Sequence, residues 1–198
     1  MTSVDFWVSL VTLAAIVLIL VFGAGVYLIV SFALMARHVP RRSLHLTFTE
    51  MLREALWVTL TQPLLPFYYL AGRRMARGDG VPIVFVHGYF QNRVGFIYLA
   101  RALKKRALGP MYGFNYLWLR DVPTLAAQLG RFIESVAEET GAEKVDVVCH
   151  SMGGLVAAEY LARGGGLARV RRWVTIATPH RGIVYRGPIL GRAKGMLR

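Results

Sequence analysis

Hydrophobic and polar positions divide this chain into three regimes. From Phe6 to Ala36, thirty-one residues pass without a charge and without a polar face. As a helix that run is roughly 46 Å long. A bilayer core of about 30 Å needs only about 20 residues, so one tilted or protruding helix fits and two do not. The length also argues against a buried core helix, which could be apolar all round as well. The pattern then changes to a helical stripe, Phe48, Met51, Leu52, Ala55 and Leu56. Thr47 is placed to cap it and Glu50 to reach back in a capping box, while Pro63 and Pro66 end it. From about Val81 onward, short apolar runs alternate with amphipathic stretches.

That third regime predicts four strands and three helices. Pro82 to Val86 is apolar without alternation, as in a strand buried on both faces. A helix is expected over Val94 to Leu108, with Phe96, Leu99, Ala100 and Leu103 on one side, and a strand over Tyr112 to Leu119. Asp121 then reads as an N-cap rather than a catalytic acid, with Pro123 in the first turn and Gly141 at the end of a helix closing at Thr140. Val145 to Cys149 is the third strand. A helix opening at Met152 or Gly153 runs to about Arg163 and ends in three glycines, and Val170 to Ala177 is the fourth strand. Strands and helices in alternation with short links give a parallel sheet covered by helices. Gly72 to Gly80 reads as a polar hinge. The expected division is a transmembrane anchor over 1–36, an amphipathic juxtamembrane connector over 37–80 and a partial α/β domain over 81–198.

Charge changes the picture in one respect. The net charge is +13, the apolar fraction 55% and the mean hydropathy +0.44. Residues 1–36 carry only Asp5, whereas 37–80 hold seven arginines against three acids and 81–198 seventeen basic residues against seven acids. A basic body beside an apolar segment suits an anionic membrane surface; a generally basic, Arg-rich surface is the other reading. No nucleic-acid motif accompanies the scattered charge, so no nucleic-acid partner is expected. Arg37, Arg41 and Arg42 follow the apolar run and none precedes it. The positive-inside rule then puts the N-terminus outside and the body in the cytoplasm, as a single-pass protein of a bacterial inner membrane. The start lacks Lys and Arg and the apolar run is long, which favours an uncleaved anchor over a cleaved signal peptide. The connector, with Trp57, Tyr68, Tyr69 and the apolar Leu64 to Leu70, reads either as a membrane-surface helix or as one packed on the sheet. Cys149 is the single cysteine, which leaves no intrachain disulfide. No metal spacing or nucleotide loop occurs, so no metal and no cofactor are expected.

The chemistry concentrates in KVDVVCHSMGGLVAA, Lys144 to Ala158. A serine pinned between a buried strand and a helix is the geometry of a nucleophile elbow, with the helix amides facing the spot where an oxyanion forms. Three motifs in order, PIVFVHGYFQN, VDVVCHSMGG and TIATPHRG, resemble an α/β-hydrolase of the bacterial lipase and esterase branch over about Val81 to Gly182. The fold implied is the N-terminal part of an α/β-hydrolase parallel sheet with flanking helices, preceded by one transmembrane helix. The resemblance implies Ser151 as nucleophile, with the backbone N–H of Met152 and of Tyr89 as oxyanion donors. His87, Gly88, His150, Gly153 and His180 are then loop-shaping residues, and His180 lies in a structural loop. Acyl transfer from an ester or lipid substrate to water is the implied reaction.

Two departures stand out. Cys149 replaces the first glycine of G-x-S-x-G, a tight position that a small, core-facing thiol can fill. The acids end at Glu159, and His180 is the only histidine after the elbow. The implied order of Ser, acid, His therefore puts the acid and the base beyond Arg198, and the isolated chain is expected to be unstable or inactive. Two alternatives accompany the membrane-anchored ester hydrolase. One is a degenerate hydrolase acting as a membrane-tethered binding or scaffold protein; the other is an acyltransferase on the same elbow, with an alcohol in place of water.

Overall fold

The computed structural model describes residues 3–36, 49, 50, 52, 53, 56, 73–89 and 91–182. The chain divides into two compact units, Met1–Phe67 and Tyr68–Arg198. The Thr47 cap, the prolines at 63 and 66, Trp57, Tyr68, Tyr69 and the tail from 183 lie outside the described residues.

In the first unit, α1 runs from Ser3 to Ala36. Its stretch Asp5–Gly23 has a mean hydropathy of 2.6 and is 0% buried, so this helix is long and apolar enough to cross a membrane; a signal sequence would pass the same test. Two of its hydroxyls turn back on the helix: Ser9 Oγ donates to the Asp5 carbonyl and Thr12 Oγ1 to that of Val8, both at 2.8 Å. Side chains satisfied in this way add little polarity to an apolar surface.

The second unit is a five-stranded sheet of order β1-β3-β2-β4-β5. Its strands are β1 (Arg74–Ala76), β2 (Ile83–Val86), β3 (Met111–Phe114), β4 (Val145–His150) and β5 (Val170–Ile176). The last four are mutually parallel, so the expected parallel sheet with flanking helices is observed. β1 pairs antiparallel with β3, Arg74 opposite Tyr112 and Ala76 opposite Met111. It occupies the segment that the sequence presents as a hinge. A three-residue strand carries no readable alternation, and its order comes from β3 and from Glu139, which binds Arg73 and Arg74.

Between β2 and β3 lie a 3₁₀ turn, Arg93–Phe96, and α2, Ile97–Lys104. The one long helix expected there is thus two pieces, because Asn92 Oδ1 caps Val94 N at 2.8 Å and tightens the first turn. β3 also ends earlier than the apolar run suggests: the Tyr116 N–H is directed at His87 Nε2 instead of a neighbouring strand. α3 (Val122–Thr140) matches its expected limits, with the Asp121 side chain accepting from Thr124 N and Gly141 in the left-handed region at φ 67°. Such a cap is worth about 1 kcal/mol. α4 (Met152–Arg163) and the short α5 (Gly166–Arg169) lead into β5.

Alternation along β2 separates two cores. Val84 and Val86 face Leu125, Leu129 and Ile133 of α3 and Met152 and Val156 of α4. Ile83 and Phe85 face Phe96 and Ala100 on the other side. Each fully buried side chain of this size contributes about 1.5–3 kcal/mol. β2 lies between β3 and β4, so the chain moves one way after β2 and returns past it after β3. A doubly wound sheet opens a crevice at the carboxyl ends of its strands at such a reversal.

Candidate active site

Ser151 stands at that reversal, directly after β4. Its backbone has φ 50° and ψ −122°, a region that costs a non-glycine residue about 1–3 kcal/mol. The surroundings hold it there. The Ser151 N–H donates to the Ile176 carbonyl at the end of β5 at 2.9 Å, and Gly154 N donates to the Ser151 carbonyl at 3.0 Å, closing the first turn of α4. The next two glycines are required by space. A Cβ on Gly153 would lie 2.3 Å from the Val86 carbonyl oxygen and 2.5 Å from that of His87, and one on Gly154 would lie 2.1 Å from Thr178 Oγ1. α4 can therefore start against the end of β2 only with bare backbone at these positions. Met152, the first residue of α4, is buried, and the first amides of a helix have no partner within it.

The facing wall is the loop after β2. Gly88 approaches so closely that a Cβ there would sit 2.9 Å from Ser151 Cβ. Gln91 Oε1 accepts from Gly88 N at 3.1 Å and lies 2.8 Å from His150 Nδ1. Tyr89 packs edge-on against Trp118 at 4.7 Å between ring centroids.

Each histidine in this region is held by a different element. His87 is buried, stacks on Tyr116 at 4.0 Å and places Nδ1 2.9 Å from the Gly88 carbonyl. The Tyr116 hydroxyl donates to the His87 carbonyl. A proton on Nδ1 and a lone pair on Nε2, facing the Tyr116 N–H, satisfy both ring nitrogens in the neutral form. Burial lowers the His87 pKa to about 4, opposed by the Gly88 hydrogen bond and assisted by nearby His150. His150 leaves the elbow toward Gln91. His180 sits beside β5, with Nε2 3.1 Å from Thr175 Oγ1 and its ring edge-on to Trp173. The structure thus brings His87, Gly88, Tyr89, His150, Ser151, Met152 and Gly153 together at the carboxyl ends of β2 and β4, and places His180 beside β5.

Cys149 is fully buried in the core shared with α3 and α4, and burial pushes its thiol up to about 12. A thiol held so far from ionisation is inert packing. Sequence reasoning passed over two contributors. Gln91 was visible only as a polar loop residue, and Tyr116 as one aromatic of a strand; neither carries a signal that it would meet His150 or His87. Thr178 Oγ1 and Asn92 Nδ2 are buried without a hydrogen-bond partner among the described residues. Also among the described residues, no three His, Cys, Asp or Glu side chains group as a metal site.

The sequence model of the family described as lipase (class 2) matches residues 80–179. Phospholipase A(1) LCAT3 of Arabidopsis thaliana is 33% identical over 73 residues, which is 36% of this chain and 16% of that protein. The lipase BlEst2 of Bacillus licheniformis, in its mature form, is 26% identical with a TM-score of 0.49, over 53% of this chain and 46% of that one. The product of gene lin2722 of Listeria innocua is 21% identical with a TM-score of 0.46, over 54% of each chain. The matched part therefore spans less than two thirds of each of these proteins.

Proposed function

Because this chain belongs to the class 2 lipase family, we propose that its second unit is the nucleophile-bearing part of a serine hydrolase that cleaves carboxylic esters. The observation that carries the proposal is the backbone of Ser151, held at φ 50° where β4 turns into α4. Ala107 and Ala177 also have positive φ, but Ser151 alone of the three stands where a strand turns directly into a helix with glycines cleared around it, which is what a presented nucleophile needs and what a packing serine does not.

In this mechanism Ser151 Oγ attacks the ester carbonyl and loses its proton to a general base. The carbonyl oxygen becomes an oxyanion held by two backbone amides, Met152 N–H at the start of α4 and Tyr89 N–H in the facing loop. Gln91 supports the choice of Tyr89, since it already engages the preceding amide, Gly88 N–H. Collapse of the intermediate expels the alcohol, which takes up the proton, and water then releases the acid. Each oxyanion donor in such a site is worth about 10²–10³ in kcat. The neutral, doubly engaged His87 shapes the loop, and the base and its acid partner come from outside Arg73–Gly182. The apolar α1 supports a membrane anchor, Arg37, Arg41 and Arg42 after it support a cytoplasmic second unit, and the anchor favours an ester of lipid character as substrate.

A fluorophosphonate reagent tests the nucleophile. Covalent labelling located at Ser151 by peptide mass spectrometry, and absent in Ser151→Ala, is expected. Labelling that persists in Ser151→Ala overturns the assignment. A folded wild-type protein that never labels moves the reading to a membrane-tethered binding protein.

A further inference from the structure

The motif TIATPHRG, Thr175 to Gly182, supplies neither the nucleophile nor an oxyanion donor. It nevertheless meets the elbow twice. The Ile176 carbonyl accepts from Ser151 N at 2.9 Å, one step past His150 and Ile176, the last paired residues of β4 and β5. Two residues on, the Thr178 side chain lies against Gly154. Its Oγ1, Cγ2 and Cβ are 2.1, 2.5 and 2.8 Å from where a Cβ on Gly154 would stand. Ser151 and Gly154 are the two ends of the first turn of α4, closed by the bond from Gly154 N to the Ser151 carbonyl. Ile176 and Thr178 therefore hold both ends of that turn.

Between them Ala177 has φ 50°, in the left-handed region where a side chain is strained. The turn is fastened on its far side. His180 N donates to the Thr178 carbonyl and Gly182 N to the Pro179 carbonyl, both at 2.9 Å. Pro179 fixes its own φ, and His180 Nε2 lies 3.1 Å from Thr175 Oγ1, back on β5. The contact with Gly154 is one of shape. Thr178 Oγ1 is buried without a hydrogen-bond partner among the described residues, and an unpaired buried hydroxyl costs about 1–3 kcal/mol. What the side chain offers is its branch at Cβ, which leaves χ1 few alternatives and makes it a stiff wedge. The start of α4 is thus confined from two sides: Gly153 by the backbone at the end of β2, and Gly154 by this wedge after β5.

We propose that Thr178 is a positioning residue for the nucleophile: its branched side chain sets where α4 begins and so keeps Ser151 in its strained conformation. The proposal rests on the reading of Ser151 as nucleophile. The role is indirect, through Gly154 and the first turn of α4, and it is carried by shape. Valine keeps the branch and loses the hydroxyl, so it replaces threonine. Serine keeps the hydroxyl and loses the branch, so it does not.

The test is the rate of fluorophosphonate labelling of the full chain in dodecyl maltoside micelles. It is measured against reagent concentration, well below the melting transition of each variant, so that every protein is folded. Thr178→Val is expected to label within about twofold of the wild type. Thr178→Ser and Thr178→Ala are expected to show a limiting rate about tenfold lower at an unchanged half-saturating concentration, since small displacements of a reacting atom cost this much. Thermal melts separate positioning from stability: packing alone would lower the melting temperature and leave the limiting rate as it is. An unchanged limiting rate in Thr178→Ser and Thr178→Ala, with Ser151 still labelled, overturns the proposal alone. So does a Thr178→Val protein as slow as Thr178→Ala, which would give the hydroxyl itself the role. A folded wild-type protein that does not label at Ser151 overturns the nucleophile reading, and the proposal with it.

Discussion

The side-chain oxygen of Gln91 lies 2.8 Å from Nδ1 of His150. The same oxygen accepts from Gly88 N, which can only donate, so the amide orientation is settled and His150 must carry its proton on Nδ1. One side chain therefore ties the loop after β2 to the residue before the candidate nucleophile. Gln91→Ala is expected to lower kcat for ester hydrolysis by about 10–10²-fold with a smaller change in KM, since displacements of about 1 Å cost this much. Steady-state kinetics on a soluble short-chain ester reads the split; an unchanged kcat removes the positioning role.

The strain at Ser151 predicts an inverted stability effect. Ser151→Gly should be more stable than Ser151→Ala by roughly 1 kcal/mol, because glycine accepts φ 50° freely and alanine inherits the strain. Part of the gain is offset by the greater freedom of glycine in the unfolded chain. Urea unfolding of both variants measures it, and equal stabilities would show the backbone to be relaxed.

The two glycines after the elbow should differ in how they fail. Gly153→Ala drives a methyl into two backbone carbonyls, whereas Gly154→Ala meets the Thr178 side chain. Overpacking of this kind costs about 1–3 kcal/mol or more. Adding Thr178→Ala should recover part of the loss in Gly154→Ala and none in Gly153→Ala. A double-mutant cycle on thermal melts checks this, and rescue of Gly153→Ala would contradict the close approach of α4 to β2.

His87 sets a pH dependence. Its pKa falls from 6.5 in the unfolded chain to about 4 in the fold. Below about pH 6.5 the unfolded state binds a proton there that the folded state refuses until about pH 4. Stability is thus fully present above that window and decreases as pH falls through it, by about 3 kcal/mol in all. In His87→Gln the same titration should be flatter by that amount between pH 4 and 6.5. Parallel curves for the two proteins would show that His87 is not buried in neutral form.

The period of the apolar residues made most of the second unit legible. β2, β4, β5, α3 with its Asp121 cap and Gly141 stop, and the start of α4 at Met152 all follow from alternation, capping and turn chemistry, which are local properties. Ser151 and its glycines were legible for the same reason, since a strand-to-helix turn needs small residues at fixed spacing. The long apolar helix was set by composition alone. Other features depended on contacts between residues distant in sequence. β1 exists because β3 offers it hydrogen bonds, and β3 stops at Phe114 because the Tyr116 amide is directed at His87. The bridge from Gln91 to His150 spans 59 positions, and the Tyr112 hydroxyl meets Glu139 across 27. Local pattern encodes what each segment becomes; which side chains then meet across the sheet is decided by strand order and register, which only the packed structure supplies.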